Sequence, residues 1–225
     1  MSEPRPLERD SLYVLLRPLQ PEEPNDGMFH WELLITDASG TAARHHWVRV
    51  HSSYHVPEKY VCEPNLPASV LTRTARGAMY VLYAKVPGFI GVPAGFDFGK
   101  ETDRLFAGAK AHTSYLQNKQ KQMNCRTWIR GILGAWEREG AVRLSDGVLS
   151  FTEAVWKIAY EASLEHFLLH GDFECWIVED VDDRAAKVNV ADVTEQFKEV
   201  ADLQRPLSEL QERDGYHFLN STGCR

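Results

Sequence analysis

The chain predicts an α+β domain in which an antiparallel sheet packs on one helix that starts with a cysteine, followed by a helical C-terminal extension. Three observations carry that reading. Asn124 is a good N-cap, and behind it Cys125, Trp128, Ile129, Ile132, Leu133 and Trp136 recur at i, i+3, i+4, i+7, i+8 and i+11, one apolar stripe at helical period. Phe29 to Thr36 alternates at strand period, with Phe29, Trp31, Leu33 and Ile35 on one face and His30, Glu32 and Leu34 on the other. Thr152 to His170 carries a second helical pattern, with Val155, Ile158, Ala159, Ala162, Phe167 and Leu168 broadly on one face.

In chain order, residues 1–10 form a polar tail, 11–139 the core and 140–225 a mostly helical extension packed on it. Leu12 to Leu16 is a continuous apolar run of strand length, and 20–27, with Pro21, Pro24 and Asn25-Asp26-Gly27, is a loop. Residues 28–51 form a hairpin about Asp37-Ala38-Ser39-Gly40, a turn composition. A turn centred between Ala38 and Ser39 sets Trp31 opposite His46 and gives His45 the face of His30. A slip of one residue exchanges His45 for His46. Residues 52–76 carry three prolines and little periodicity, and read as an irregular crossover with room for a short strand or helix. Residues 78–86 are rich in β-branched and aromatic side chains and predict a strand.

The stretch 87–99 is a glycine- and proline-rich loop with two open readings. It is either a lid or binding loop, or an excursion whose Phe89, Phe96 and Phe98 fill the core edge. Its glycines do not follow the phosphate-loop spacing. Lys100 to Tyr115 predicts a helix, and 118–124 a polar connection. Beyond Gly140, the residues 141–151 predict a small hairpin about Ser145-Asp146-Gly147. Thr152 is the N-cap of the next helix and Gly171 its stop. Residues 173–181 predict a strand, and 193–211 a charged helical stretch interrupted by Pro206.

Composition narrows the function. A length of 225 residues suits one domain with an extension. The net charge of −7 without a basic stripe argues against a dedicated nucleic-acid binder. The four cysteines are scattered, with no C-x-x-C pair, so neither a disulfide framework nor a zinc ribbon is expected. The polar first residues and the absence of an apolar run of about 20 residues predict no secretory signal and no transmembrane segment, hence a reduced, cytoplasmic protein with an inert Asn220-Ser221-Thr222 sequon. His45, His46, His51 and His55 cluster in sequence, but adjacent strand residues point to opposite faces and no acidic or cysteine ligand sits close by, so no metal and no cofactor is expected.

The chemistry centres on Cys125. At a helix start the dipole and unpaired N–H groups favour an anion, which stabilises a thiolate and lowers its pKa. The competing reading is a small buried packing residue. A thiolate nucleophile needs an imidazole to take its proton and return one to the leaving group, and a third group to fix the imidazole tautomer. N–H groups at the helix start would hold the oxyanion.

His30-Trp31 on a strand, a tight turn, a second histidine on the return strand and a distant Asn124-Cys125 opening a helix together resemble the circularly permuted papain-like group. That group includes the lecithin retinol acyltransferase-like acyltransferases and permuted relatives of NlpC-type peptidases. The likeness spans about residues 11–139, and the Glu-His that follows the cysteine in the acyltransferases is Arg126-Thr127 here. It implies a permuted papain-like (NlpC-like) fold, with Cys125 as nucleophile, His30 as base and His45 or His46 as the orienting group. Trp31, Asn124 and Phe96 are the candidate substrate-lining residues. The expected activity is acyl transfer from a small acyl or peptide-like substrate through acyl-Cys125, as an acyltransferase, amidase, peptidase or thioesterase. The alternatives are amide-bond formation from an aminoacyl donor, and a non-catalytic interaction module whose partner surface is the 87–99 loop with the extension.

Overall fold

The computed structural model describes residues 5–18, 29–48, 58–70, 80–106, 118, 120–169 and 175–188, except for the side chains of 166–169. The described residues form an α+β unit with a six-stranded mixed sheet and four helices. The strands are β1 (Leu12–Pro18), β2 (Phe29–Thr36), β3 (Thr41–Val48), β4 (Lys59–Pro67), β5 (Leu82–Lys85) and β6 (Trp176–Val178). Their order is β4-β3-β2-β1-β5-β6, antiparallel throughout except for the parallel pair β5/β6. The helices are α1 (Phe98–Phe106), α2 (Cys125–Arg138), α3 (Gly147–Leu169) and α4 (Val181–Ala186).

α2 forms where the apolar stripe places it. Asn124 caps it with a reciprocal box: Thr127 N–H donates to the Asn124 side chain, and Asn124 N–H donates to the Thr127 hydroxyl, both at 2.9 Å. Its stripe packs on β2 and β3, and Trp128, Ile132 and Trp136 are fully buried. α3 packs on α2, β5 and β1. Burial of this stripe and of Trp31, Leu33 and Trp47 on the facing strands removes apolar surface from water, the main stabilising contribution in any such core.

The hairpin has the alternate register. Glu32 pairs with His46 and Leu33 with His45. The cause is an odd loop: Asp37 N–H donates to the Thr41 carbonyl at 2.9 Å, closing a three-residue turn of Ala38, Ser39 and Gly40. Gly40 supplies the left-handed residue (φ +86°), and the Asp37 carboxylate accepts from the N–H groups of Ser39 and Thr41, each at 2.9 Å. A turn centred on Ser39 moves every residue of β3 by one, so His46 shares the face of His30, and His45 goes to the helix side.

Further expectations are sharpened or changed. The crossover contains β4, a nine-residue edge strand. Its prolines had masked it, but Pro64 sits where the register with β3 shifts, beside Asn65 at φ +60°, and an edge or bulge tolerates a missing N–H. No hairpin forms at 141–151, because α3 begins at Gly147. Thr152 therefore lies inside the helix, its hydroxyl donating back to the Val148 carbonyl at 2.9 Å rather than capping. α1 starts at Phe98, two residues early, with the Asp97 carboxylate accepting from Lys100 N–H at 3.0 Å. β6 is a three-residue strand, and α4 follows it with Asp180 as its cap. The expected loop at 20–27 and helical stretch at 193–211 lie outside the described residues.

The 87–99 loop follows the core-edge reading. Phe89 and Phe96 both meet the Trp136 ring, at 5.8 and 5.3 Å between centroids. Its entry is fixed by Gly88 at φ +62°, where a Cβ would lie 2.7 Å from Arg143 Cβ and 3.0 Å from Arg143 N. Gly88→Ala should therefore cost about 2–3 kcal/mol, from left-handed strain and overpacking together, read as a lowered urea midpoint at unchanged slope.

Candidate active site

Two neighbouring arrangements meet along β2. On the helix side stands Cys125, the first residue of α2 and only 6% exposed. The main-chain N–H groups of Trp31 and Arg126 point at its sulfur. Arg126 lies over the Trp31 ring, 5.1 Å from its centroid, and pairs with Glu153 at 3.1 Å. The helix start acts on the thiol as expected, but it does not win. Burial pushes the Cys125 thiol up to about 12, against the opposing effect of those N–H groups, so the resting sulfur is protonated. The expected fall in its pKa is thereby corrected.

On the other face lies a buried polar cluster that runs across four strands. His30 Nε2 is 3.4 Å from Glu32 Oε1 and 3.5 Å from His46 Nδ1. His46 Nδ1 is 3.8 Å from the same carboxylate oxygen, and His46 Nε2 is 3.5 Å from Glu63 Oε1. Arg17 Nε approaches Glu32 Oε1 at 3.5 Å. Tyr80 donates to Glu32 Oε2 at 2.7 Å and accepts from Arg44, which also bonds Glu63. Burial alone would raise the Glu32 carboxyl; the neighbouring His46 and the charges about it, with Arg44 among them, outweigh burial and hold it well below the usual carboxylate range. Burial lowers His30 to about 3, so its imidazole is neutral at physiological pH.

The expected residues divide accordingly. Cys125, Trp31 and Asn124 stand together, Asn124 as the helix cap. His30 adjoins them through the chain, since the thiol lies against the main chain of the next residue. Its imidazole turns to the polar face, and among the described residues no hydrogen bond joins it to the thiol. His46, not His45, is the histidine beside it. His45 belongs to the helix side, stacked on Phe98 at 4.0 Å and bonded through Nδ1 to the Tyr60 hydroxyl at 2.8 Å. Burial takes it down to about 4, the behaviour of a packed core histidine. Phe96 sits against Trp136, eleven residues and about 16 Å along α2 from Cys125.

Sequence reasoning missed Glu32, Arg44, Glu63, Tyr80 and Arg17. The period-2 pairs His30-x-Glu32 and Arg44-x-His46 were the available signal, readable only with the correct hairpin register. Comparison of the chain with protein-family models, curated proteins and solved structures gave no match.

Proposed function

We propose that this chain is a cysteine-dependent acyl-transfer enzyme on a permuted papain-like scaffold, with Cys125 as nucleophile and His30 as base. The observation that supports it is the fixing of one imidazole nitrogen. Nε2 of His30 is held between Glu32 and His46, and no hydrogen bond among the described residues engages Nδ1. An imidazole with one nitrogen facing a carboxylate favours the tautomer that carries its proton there, and its other nitrogen can take a proton. In this reading the proton donor is the Cys125 thiol, which lies against the main chain of the next residue, Trp31.

Because both groups rest neutral, proton transfer accompanies attack. As Sγ bonds to the carbonyl carbon of the donor, its proton passes to Nδ1 of His30. Collapse of the tetrahedral species expels the leaving group, which takes that proton, and leaves acyl-Cys125. Water, an amine or an alcohol then receives the acyl group. The Asn124 side chain occupies Thr127 N–H and the Cys125 sulfur faces that of Arg126, so the N–H of Cys125 is the one left at the helix start to stabilise the oxyanion. The donor class is a small acyl or peptide-like ester, thioester or amide.

The test is intact-mass detection of an acyl adduct after incubation with aryl esters, acyl thioesters and peptide esters. One acyl group on Cys125, absent in Cys125→Ala and formed about 100-fold or more slowly in His30→Ala, is expected. If no donor class acylates Cys125, the residue is a packing cysteine, and the scaffold is an interaction module.

A further inference from the structure

We propose that His30, Glu32 and His46 form a binding site for one divalent transition-metal ion of the zinc class. Their nearest ligand atoms, His30 Nε2, Glu32 Oε1 and His46 Nδ1, are separated by 3.4, 3.5 and 3.8 Å. These separations are long for direct hydrogen bonds, which close to about 2.7–3.2 Å. They are the spacing of ligands around an ion: a point equidistant from the three atoms lies about 2.1 Å from each, the usual bond length from zinc to imidazole nitrogen or carboxylate oxygen.

The surroundings agree with that assignment. When Nδ1 of His46 is a ligand, its Nε2 must carry the proton. That buried nitrogen has no hydrogen-bond partner within normal reach, yet it faces Glu63 Oε1 at 3.5 Å, an acceptor of the kind that orients metal-bound histidines. Tyr80 and Arg44 hold the second oxygen of Glu32 and so aim the first one at the histidines. Two imidazoles and one carboxylate suit zinc, iron, cobalt or nickel rather than magnesium or calcium, which prefer oxygen donors throughout.

Among the described residues Arg17 is the one competing cation at that first oxygen. Its side chain is 20% exposed, so it can turn to solvent when an ion enters. Glu32 and Glu63 already face Arg17 and Arg44, so a bound dication carries surplus positive charge. Its open positions therefore favour an anionic fourth ligand, hydroxide or a carboxylate.

Occupancy also has a consequence that rests on the acyl-transfer reading. An imidazole coordinated through Nε2 carries its proton on Nδ1 and can accept none there, so the metal-loaded chain is the inactive form of that site, and removing the ion releases the base.

The direct test uses the full chain, stripped with a chelator and titrated with zinc chloride by calorimetry and with cobalt(II) by absorption. One equivalent should bind, and the cobalt spectrum should show d–d bands without the thiolate charge-transfer band that cysteine ligation produces. His46→Asn and Glu32→Gln should each weaken binding by about 100-fold, Glu63→Gln by about tenfold, and Cys62→Ser should leave it unchanged. Where Glu32→Gln does not fold by circular dichroism, His46→Asn and Glu63→Gln carry the comparison. Failure to bind one equivalent, retention of that equivalent in His46→Asn, or a thiolate band would each overturn the site. Acylation of Cys125 measured with and without zinc separates the two ideas. Binding without inhibition removes the regulatory link alone, and no acylation in either state removes the enzyme reading alone.

Discussion

At pH 8, iodoacetamide should modify Cys125 about a thousandfold more slowly than a free thiol of ordinary pKa. Only the thiolate reacts, and burial has moved this thiol from 9.0 up to about 12. At a pH below both values, each unit of upward shift removes a factor of ten from the thiolate fraction, which fixes the sign and the size of the effect. The rate in the folded chain should therefore climb tenfold per pH unit well past pH 9, where an ordinary thiol has levelled off. Exposed Cys62 should be labelled well before Cys125, and it serves as the internal reference in a peptide-mass time course. Labelling of Cys125 as fast as Cys62 at pH 8 would show a thiolate already present at rest. Slow alkylation does not conflict with fast acylation. A general electrophile must wait for the rare thiolate, whereas in the proposed mechanism a bound acyl donor presents its carbonyl while His30 takes the proton. The ratio of the two rates in one protein thus measures how much of the activation is supplied by substrate.

Sequence reached the parts of this architecture that are governed by local rules. α2 was legible because a cap, a helical stripe and a breaker at Gly140 agree with one another. β1 was legible because an apolar run of that length has few other fates. The errors arise where a tertiary contact or a single turn decides. One residue of loop length at Ser39 exchanged His45 for His46, because the strand period is two and the Asp37 hydrogen bonds are not visible in a composition. β4 was hidden by Pro64 and Pro67, whose cost depends on whether a strand is at an edge. Thr152 has the chemistry of a cap, yet its hydroxyl accepts from Arg130 Nε at 2.9 Å in the α2/α3 contact. In sequence the histidines cluster with His51 and His55, whereas the group that gathers His30 and His46 is Glu32, fourteen positions from His46 in the chain and directly opposite it in the sheet.

Replacing Glu32 should cost more stability than any other change in the polar cluster. Its carboxylate is 2% exposed and is the common partner of Arg17, Arg44, Tyr80 and both histidines. Glu32→Leu leaves two guanidinium groups short of their counter-charge and Tyr80 without its acceptor. Breaking a buried ion pair from one side costs about 3–5 kcal/mol, because the penalty is the stranded charge rather than the lost bond. Two comparisons test that cause by urea unfolding. Adding Arg44→Met to Glu32→Leu should recover a large part of the loss, since the stranded charge goes with it; a double variant as unstable as the sum of its parts would contradict this account. Glu153→Ala, which removes the partner of Arg126 and Arg130 at a site 55% exposed, should cost less than about 1 kcal/mol. The contrast locates the cost in burial: water reaches the half-buried Arg126 and Arg130, 21% and 25% exposed, more freely than Arg44, at 10%. A cluster that costs this much to disturb also keeps its geometry, so the nitrogen of His30 that faces Glu32 stays fixed.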